Sequence, residues 1–289
     1  MASNLRFDQQ VIVVAGGGNG LGRQYCLDLA RSGARVVVGG RGTSANDVAA
    51  ELRALGAEAV SCVADVRDGS ALIARAVDAF GRIDGLIVNA GVVRDRSFAK
   101  MSEDEWQEVL SIHVNGAFAC VKAAWPHMLA QGGGRIVLTT SGAGLHGNFG
   151  QANYAAAKGA VIGFMQTLAI EGAAKNVLCN AIAPMALTGM TEGVFDEEMK
   201  AALDTALVSP FVLALVHSSS RENGAVIEAG GGWASRLRWQ RSGGLRLPKT
   251  ELTAGAVLAR WNEVVSFETA VDYPKSTADS LNAALGKRS

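Results

Sequence analysis

Short runs of β-branched and aliphatic residues recur along this chain, each separated from the next by enough sequence for one helix. The runs lie at 11–15, 35–39, 59–63, 86–88, 135–139, 177–182 and 225–228, and they show little alternation of apolar with polar residues. A strand with one face in water alternates, whereas an unbroken apolar run is buried on both faces. Helical patterns occupy 20–32, 46–55, 70–80, 112–129 and 154–171. Ser102, with Glu105 three residues on, has the form of a capping box that opens one more helix. Doubly buried strands alternating with helices make a parallel sheet covered on both sides. The expected fold class is therefore α/β, a doubly wound parallel sheet of seven strands. Its ligands belong at the carboxyl ends of the strands, near the switch point. Pro126 should bend or end the long helix 112–129.

The βα rhythm stops near residue 230. From Trp233 to Lys249 the chain carries Arg236, Arg238, Arg241, Arg246 and Lys249 with no acidic residue, and a helix is expected around 253–268. The expected organisation is one domain over 1–232 and a helical extension over 233–289, packed on that domain or on a neighbouring subunit. Lys and Arg balance Asp and Glu at 27 each, which argues against nucleic acid or an anionic membrane as the main partner. Cys26, Cys62, Cys120 and Cys179 are widely spaced and form no metal or disulfide pattern. No apolar run approaches the roughly 18 residues that span a bilayer. The run at 11–15 is too short for a signal peptide. A cytoplasmic location is expected.

Chemistry concentrates in two places. The first run leads directly into A-G-G-G-N-G-L-G, with Gly16, Gly20 and Gly22 at the start of the first helix. Glycines there let the backbone turn tightly and approach a pyrophosphate, whose charge is met by the helix N-terminus. A plain turn or helix cap would use glycines too, but the strand-to-helix position favours the phosphate reading. The second place is Ser141 to Lys158: Ser141 lies thirteen residues before Tyr154, and Lys158 four after it. Four residues bring Tyr154 and Lys158 onto one helical face. A phenol beside an ammonium, with a hydroxyl approaching from the preceding loop, can move a proton at an alcohol or carbonyl oxygen.

The G-x-x-x-G-x-G loop, Asn89-Ala90-Gly91, Asn115, Ser141 and the Tyr154/Lys158 pair occur in the order that resembles the short-chain dehydrogenase/reductase family. Within it, several segments are similar to the (3R)-hydroxyacyl-CoA dehydrogenase units of type 2 peroxisomal multifunctional enzymes. They include F-G-R-I-D, N-A-G-V-V-R-D-R-S-F-A-K, G-N-F-G-Q-A-N-Y, N-A-I-A-P and, in the basic extension, G-G-W-A-S-R-L-R-W. The resemblance implies a Rossmann-type domain that binds NAD(P). It implies Tyr154 as acid/base, Lys158 lowering its pKa and hydrogen-bonding the nicotinamide ribose, Ser141 donating to the substrate oxygen, and Asn115 holding a water that relays protons to Lys158. Cofactor contacts are implied at Gly16, Asn19, Gly20, Leu21 and Gly22, at Asp65 and Val66 beside the adenine, at Asn89, Ala90 and Gly91, and at Pro184 and Thr188 along the carboxamide. A lysine about 6 Å from the phenol at an effective dielectric of about 20 lowers its pKa by about two units, from about 10 to about 8. The positive oxidised nicotinamide would supply part of the remainder.

The sequence departs from the family at informative points. Ala15 stands in place of the usual threonine, and Val88 in place of a frequent asparagine. The second strand ends V-V-V-G-G-R-G, without the carboxylate that would bind an adenosine 2′-hydroxyl. Arg41 could instead pair with a 2′-phosphate, or be a surface arginine, so NADP is favoured over NAD although the subgroup is associated with NAD. The basic stretch reads as a solvated or subunit-interface face, or as Arg236, Arg238 and Arg241 meeting the phosphates of a CoA thioester. The expected activity is hydride transfer between NAD(P)(H) and a secondary alcohol or ketone, at C3 of an acyl-CoA. A carbonyl reductase acting on a steroid, an acyl-carrier-protein thioester or a small ketone is the alternative, and a non-catalytic cofactor sensor a more distant one. The resemblance implies a homodimer or homotetramer. The ending Gly286-Lys287-Arg288-Ser289 is not a peroxisomal address.

Overall fold

All five residues of β1 (Val11–Ala15) are buried, as a strand covered on both faces requires. In the computed structural model, which describes residues 5–186, 203–268 and 271–286, β1 pairs in parallel with two strands. Val13 lies opposite Val37 of β2 (Arg35–Gly40) and opposite Leu86 of β4 (Gly85–Val88). β3 (Ala59–Val63) lies outside β2. On the other side β4 is followed by β5 (Gly134–Thr139), β6 (Val177–Met185) and β7 (Val226–Gly230), all parallel. The chain thus builds outward from β1 to β3, then returns to the centre and builds the other way. The switch point falls between β1 and β4, where the crevice at their carboxyl ends opens.

An eighth strand, β8 (Trp233–Leu237), continues the sheet beyond β7. Gly231 and Gly232 connect the two with φ of 57° and 78°. Two consecutive left-handed residues are what a two-residue hairpin of matching twist needs. The expected seven strands are therefore eight, because the turn that ends the βα rhythm folds the chain straight back along the sheet.

Helices α1 (Gly20–Arg31), α2 (Ser44–Ala54) and α3 (Gly69–Phe80) follow β1, β2 and β3. The capping box at Ser102 opens α4 (Glu103–Leu110). One π turn, Ser111–Asn115, carries this helix without a break into α5 (Gly116–Gln131). Pro126 does not end α5. It and Lys122, whose carbonyl loses its donor, are both exposed, so water can serve that carbonyl. After β5 come a short helix, α6 (Gly142–His146), and the long α7 (Ala152–Gly172); α8 (Ser209–Val216) precedes β7.

The chain divides into two compact units, Met1–Arg236 and Leu237–Ser289. In the second, the expected helix at 253–268 is two shorter ones, α9 (Ala254–Ala259) and α10 (Trp261–Val265), followed by α11 (Thr277–Ala284). The Arg238 guanidinium stacks 3.6 Å over the Tyr273 ring, and Arg241 pairs with Asp272. Arg246 donates to the carbonyls of Ala283 and Ala284 at the end of α11, where the helix dipole favours a cation.

Candidate active site

The glycine loop is pinned before it reaches α1. The amides of Gly16 and Gly17 both donate to the Gly39 carbonyl, at 2.9 and 2.8 Å. Gly16 has φ of 87°, and a Cβ there would lie 2.5 Å from the Ala90 nitrogen. A Cβ on Gly22 would lie 2.0 Å from the Gly16 carbonyl oxygen. Gly22 therefore acts beneath the loop, letting α1 close on β1, while Gly16, Gly18, Asn19, Gly20 and Leu21 line a cleft of about 930 Å³. The first turn of α1 has no side-chain cap and no acidic residue, so its N–H donors are available to an anion. This cradle fits a dinucleotide pyrophosphate.

Asn89 and Ala90 both donate their amides to the Ala15 carbonyl at 2.9 Å, tying the end of β4 to β1. Asn89 Oδ1 also receives Thr139 Oγ1 from β5, at 3.4 Å. Asn89, Ala90, Gly91 and Pro184 line the cleft, as do Asp65 and Val66. Hydrogen bonding to Arg67 holds the Asp65 carboxyl down at about 2, with the charge of Arg41 adding to the effect. Arg41 is exposed at the lip beside Gly40, Gly42 and Ser44 and forms no ion pair among the described residues. Thr188 lies outside the described residues.

Ser141, Tyr154 and Lys158 line the same cleft. Ser141 follows β5, and its Oγ accepts from the Ala143 amide at 3.2 Å as the N-cap of α6. Lys158 Nζ sits 5.5 Å from the centre of the Tyr154 ring and donates to the Thr139 carbonyl at 2.7 Å. Burial drives the ammonium down to about 7. Burial also raises the Tyr154 phenol; a hydrogen bond with Ser141 opposes this, and the negative charge of Asp95 adds to it. The simple estimate that Lys158 alone brings Tyr154 to about 8 is thus too favourable. It counted the attraction between the two groups and omitted the desolvation of both.

Asn115 does not join this group. It is exposed and is not part of the cleft wall. His113, two residues earlier, occupies the place beside Tyr154, with ring centroids 5.2 Å apart and the rings nearly perpendicular. Helical periodicity shows why: Val109, Ile112, His113, Gly116, Ala117 and Cys120 form the buried stripe, and Asn115 falls off it. The same stripe is visible in the sequence once the helix is begun at the Ser102 cap rather than at residue 112. Other cleft residues that sequence reasoning passed over are Ser44, Asp95 and Thr139.

A sequence model described as short chain dehydrogenase matches residues 10–199. The chain belongs to the short-chain dehydrogenase family. It is an NAD(P)-dependent oxidoreductase acting on CH–OH groups. The dehydrogenase is 45% identical to the peroxisomal multifunctional enzyme type 2 of Mus musculus, over 99% of this chain and 40% of that protein. It is 43% identical to the peroxisomal hydratase-dehydrogenase-epimerase of Neurospora crassa, over 96% of this chain and 31% of that one. Full-length peroxisomal multifunctional enzyme type 2 from Drosophila melanogaster superposes with a TM-score of 0.86 at 39% identity, covering 98% of this chain and 50% of the other. The dehydrogenase therefore spans between 31% and 50% of the length of these relatives. Their names overturn the cytoplasmic expectation, pointing to a peroxisomal rather than a cytoplasmic setting. Balanced charge and the lack of an apolar span suit any aqueous compartment, so they could not have decided it.

Proposed function

We propose that this dehydrogenase interconverts a 3-hydroxyacyl-CoA and the 3-oxoacyl-CoA, with NADP favoured over NAD. The convergence of Ser141, Tyr154 and Lys158 in the cleft that the glycine cradle also lines carries the reaction type. Likeness over almost the whole chain to enzymes named as multifunctional hydratase-dehydrogenases supports the acyl-CoA substrate.

Gly18, Asn19, Gly20 and Leu21 would hold the pyrophosphate, Asp65 and Val66 the adenine, and Asn89, Gly91, Lys158 and Pro184 the nicotinamide riboside. Bound in its oxidised form, the cofactor supplies a hydride acceptor and a fixed positive charge. Ser141 Oγ donates to the substrate oxygen and fixes the alcohol against Tyr154. The Tyr154 phenolate takes the hydroxyl proton as the C3 hydrogen leaves as hydride; in reduction the phenol returns that proton. Lys158 stabilises the phenolate by charge, at a distance where burial makes the attraction strong. Arg236 is held by Glu222 at 3.0 Å, and Arg238 and Arg241 by Tyr273 and Asp272, so the CoA phosphates are not assigned to them. The exposed Phe118 of α5 and Ile170 of α7 support assembly into a homodimer or homotetramer through these helices.

Cofactor choice rests on Arg41 beside the Ser44 hydroxyl and on the missing carboxylate at Gly40. Dissociation constants for NADP and NAD test it. Wild type should bind NADP more tightly, and Arg41→Ala should weaken NADP about 10-fold while leaving NAD within about twofold. Equal or tighter NAD binding by wild type contradicts the assignment.

A further inference from the structure

Asp95 is the middle residue of Arg94-Asp95-Arg96, on the segment that leads from β4 toward α4. Its two neighbours are committed elsewhere. Arg94 forks onto the Glu108 carboxylate at 2.7 and 2.8 Å, and Arg96 reaches Glu105 at 2.8 Å, both on α4. The backbone of the segment is fastened as well. The Arg96 amide donates to the Gly150 carbonyl at 2.7 Å. The fully buried Asn153, at the start of α7, donates to the carbonyls of Arg94 and Glu105 at 3.1 Å. Of the three charged residues, only Asp95 lines the cleft.

There its carboxylate meets amides and no cation. Gln151 donates to Asp95 Oδ2 at 2.9 Å, and Asn148 donates in turn to Gln151 Oε1 at 3.0 Å. Asp95 forms no ion pair among the described residues. Of the other ionisable groups that line the cleft, Arg41 and Asp65 belong to the nucleotide contacts proposed above. Burial raises the Cys62 thiol, and burial with the Lys158 charge presses the His113 imidazole down to about 3, so both are uncharged near neutral pH. Tyr154, Lys158 and Asp95 remain, and the charge of Asp95 is felt at the Tyr154 phenol.

These charges balance for one kind of substrate. In oxidation the Lys158 ammonium and the positive nicotinamide stand against the Tyr154 phenolate and the Asp95 carboxylate. The four cancel, so the alcohol that suits them carries no charge of its own. A thioester meets that condition. A free 3-hydroxy acid holds a carboxylate one carbon from C3 and brings a negative charge that no cation is left to meet. We propose that Asp95 is a specificity-determining residue that rejects free 3-hydroxy acids and so reserves the cleft for their uncharged thioesters. The reservation for thioesters rests on the substrate reading given above, whereas the rejection of carboxylates rests on the charges of the cleft. Like charges roughly 10 Å apart at an effective dielectric of about 20 weaken association about 10-fold. Asp95 is exposed, so the measurements belong at about 0.01 M salt, where the screening length is about 30 Å.

Both enantiomers of 3-hydroxybutyrate and of its methyl ester, given to wild type, Asp95→Asn and Asp95→Glu, test this. The ester lacks both the charge and the CoA, so CoA contacts do not enter the comparison. Any change in the chemical step acts on both substrates and cancels in the ratio of their kcat/KM values. That ratio, ester over acid, should fall about 10-fold in Asp95→Asn. It should stay within about threefold of wild type in Asp95→Glu, which keeps the charge. An Asp95→Asn ratio within about twofold of wild type overturns the proposal, as does an Asp95→Glu ratio that falls equally. Binding gives the same comparison without turnover. In cofactor-loaded Tyr154→Phe, adding Asp95→Asn should tighten the acid about 10-fold relative to the ester, and no relative tightening overturns the proposal. If wild type oxidises no 3-hydroxyacyl-CoA, the substrate reading fails, and the binding constants still decide the role of Asp95.

Discussion

Lys158 shows what the active site costs the fold. Its side chain is buried, its one protein hydrogen bond among the described residues goes to the Thr139 carbonyl, and no carboxylate among those residues pairs with it. An unfolded lysine holds its proton up to about 10.5, whereas burial lowers the folded one to about 7, where half of it is still charged. Between these values the unfolded chain binds more protons, so stability rises with pH across that window and is lost as pH falls through it. Lys158→Met should abolish turnover and yet stabilise the protein by about 1–3 kcal/mol near neutral pH. The gain should shrink as pH approaches 10.5. Chemical denaturation at several pH values checks this, and a destabilised Lys158→Met would show that the Thr139 bond outweighs desolvation. Tyr154 belongs to the same argument: burial lifts its pKa, so the phenolate needs both Lys158 and the cofactor charge.

At the scale of elements, Arg135 ties three segments of the sheet's end together. Its guanidinium, from the second residue of β5, donates to the carbonyls of Asn176, Ser218 and Ser220 at 2.8, 2.8 and 3.0 Å. Arg135→Met would leave those carbonyls without the donor and should cost about 3–5 kcal/mol in denaturant unfolding, with cofactor affinity unchanged once folded. A loss below about 1 kcal/mol would mean water replaces the guanidinium. The strands were legible because double burial writes itself as unbroken apolar runs, and the Tyr154/Lys158 pair because one helical turn fixes it. The glycine loop was legible for a different reason, since its spacing is dictated by backbone contact with Ala90 and with Gly16 itself. His113 was hidden by an element boundary. With the helix begun at residue 112, the buried stripe from Val109 is cut, and attention goes to Asn115, which is exposed and off the cleft wall. β8 was hidden because Trp233 to Leu237 is only half-buried and lacks the apolar run of an inner strand.

At the scale of the molecule, the sheet-bearing unit holds every cleft residue named above, and in the second unit Arg238, Arg241, Arg246 and Arg260 find partners within that unit. The exposed side chains of Ile170, at 74%, and Phe118, at 54%, should be covered in solution by a second copy. Light scattering should return two or four times the chain mass, and Ile170→Glu should lower it; a wild-type monomer at micromolar concentration contradicts the assembly. The reaction itself is tested most directly by a panel of 3-hydroxyacyl-CoAs of differing length and stereochemistry, assayed with NADP and NAD alongside Tyr154→Phe. The expected result is turnover of at least one member by wild type and a loss of about 10²–10⁴-fold in Tyr154→Phe, with cofactor affinity retained. Failure of wild type to oxidise any member, or wild-type rates from Tyr154→Phe, would contradict the account.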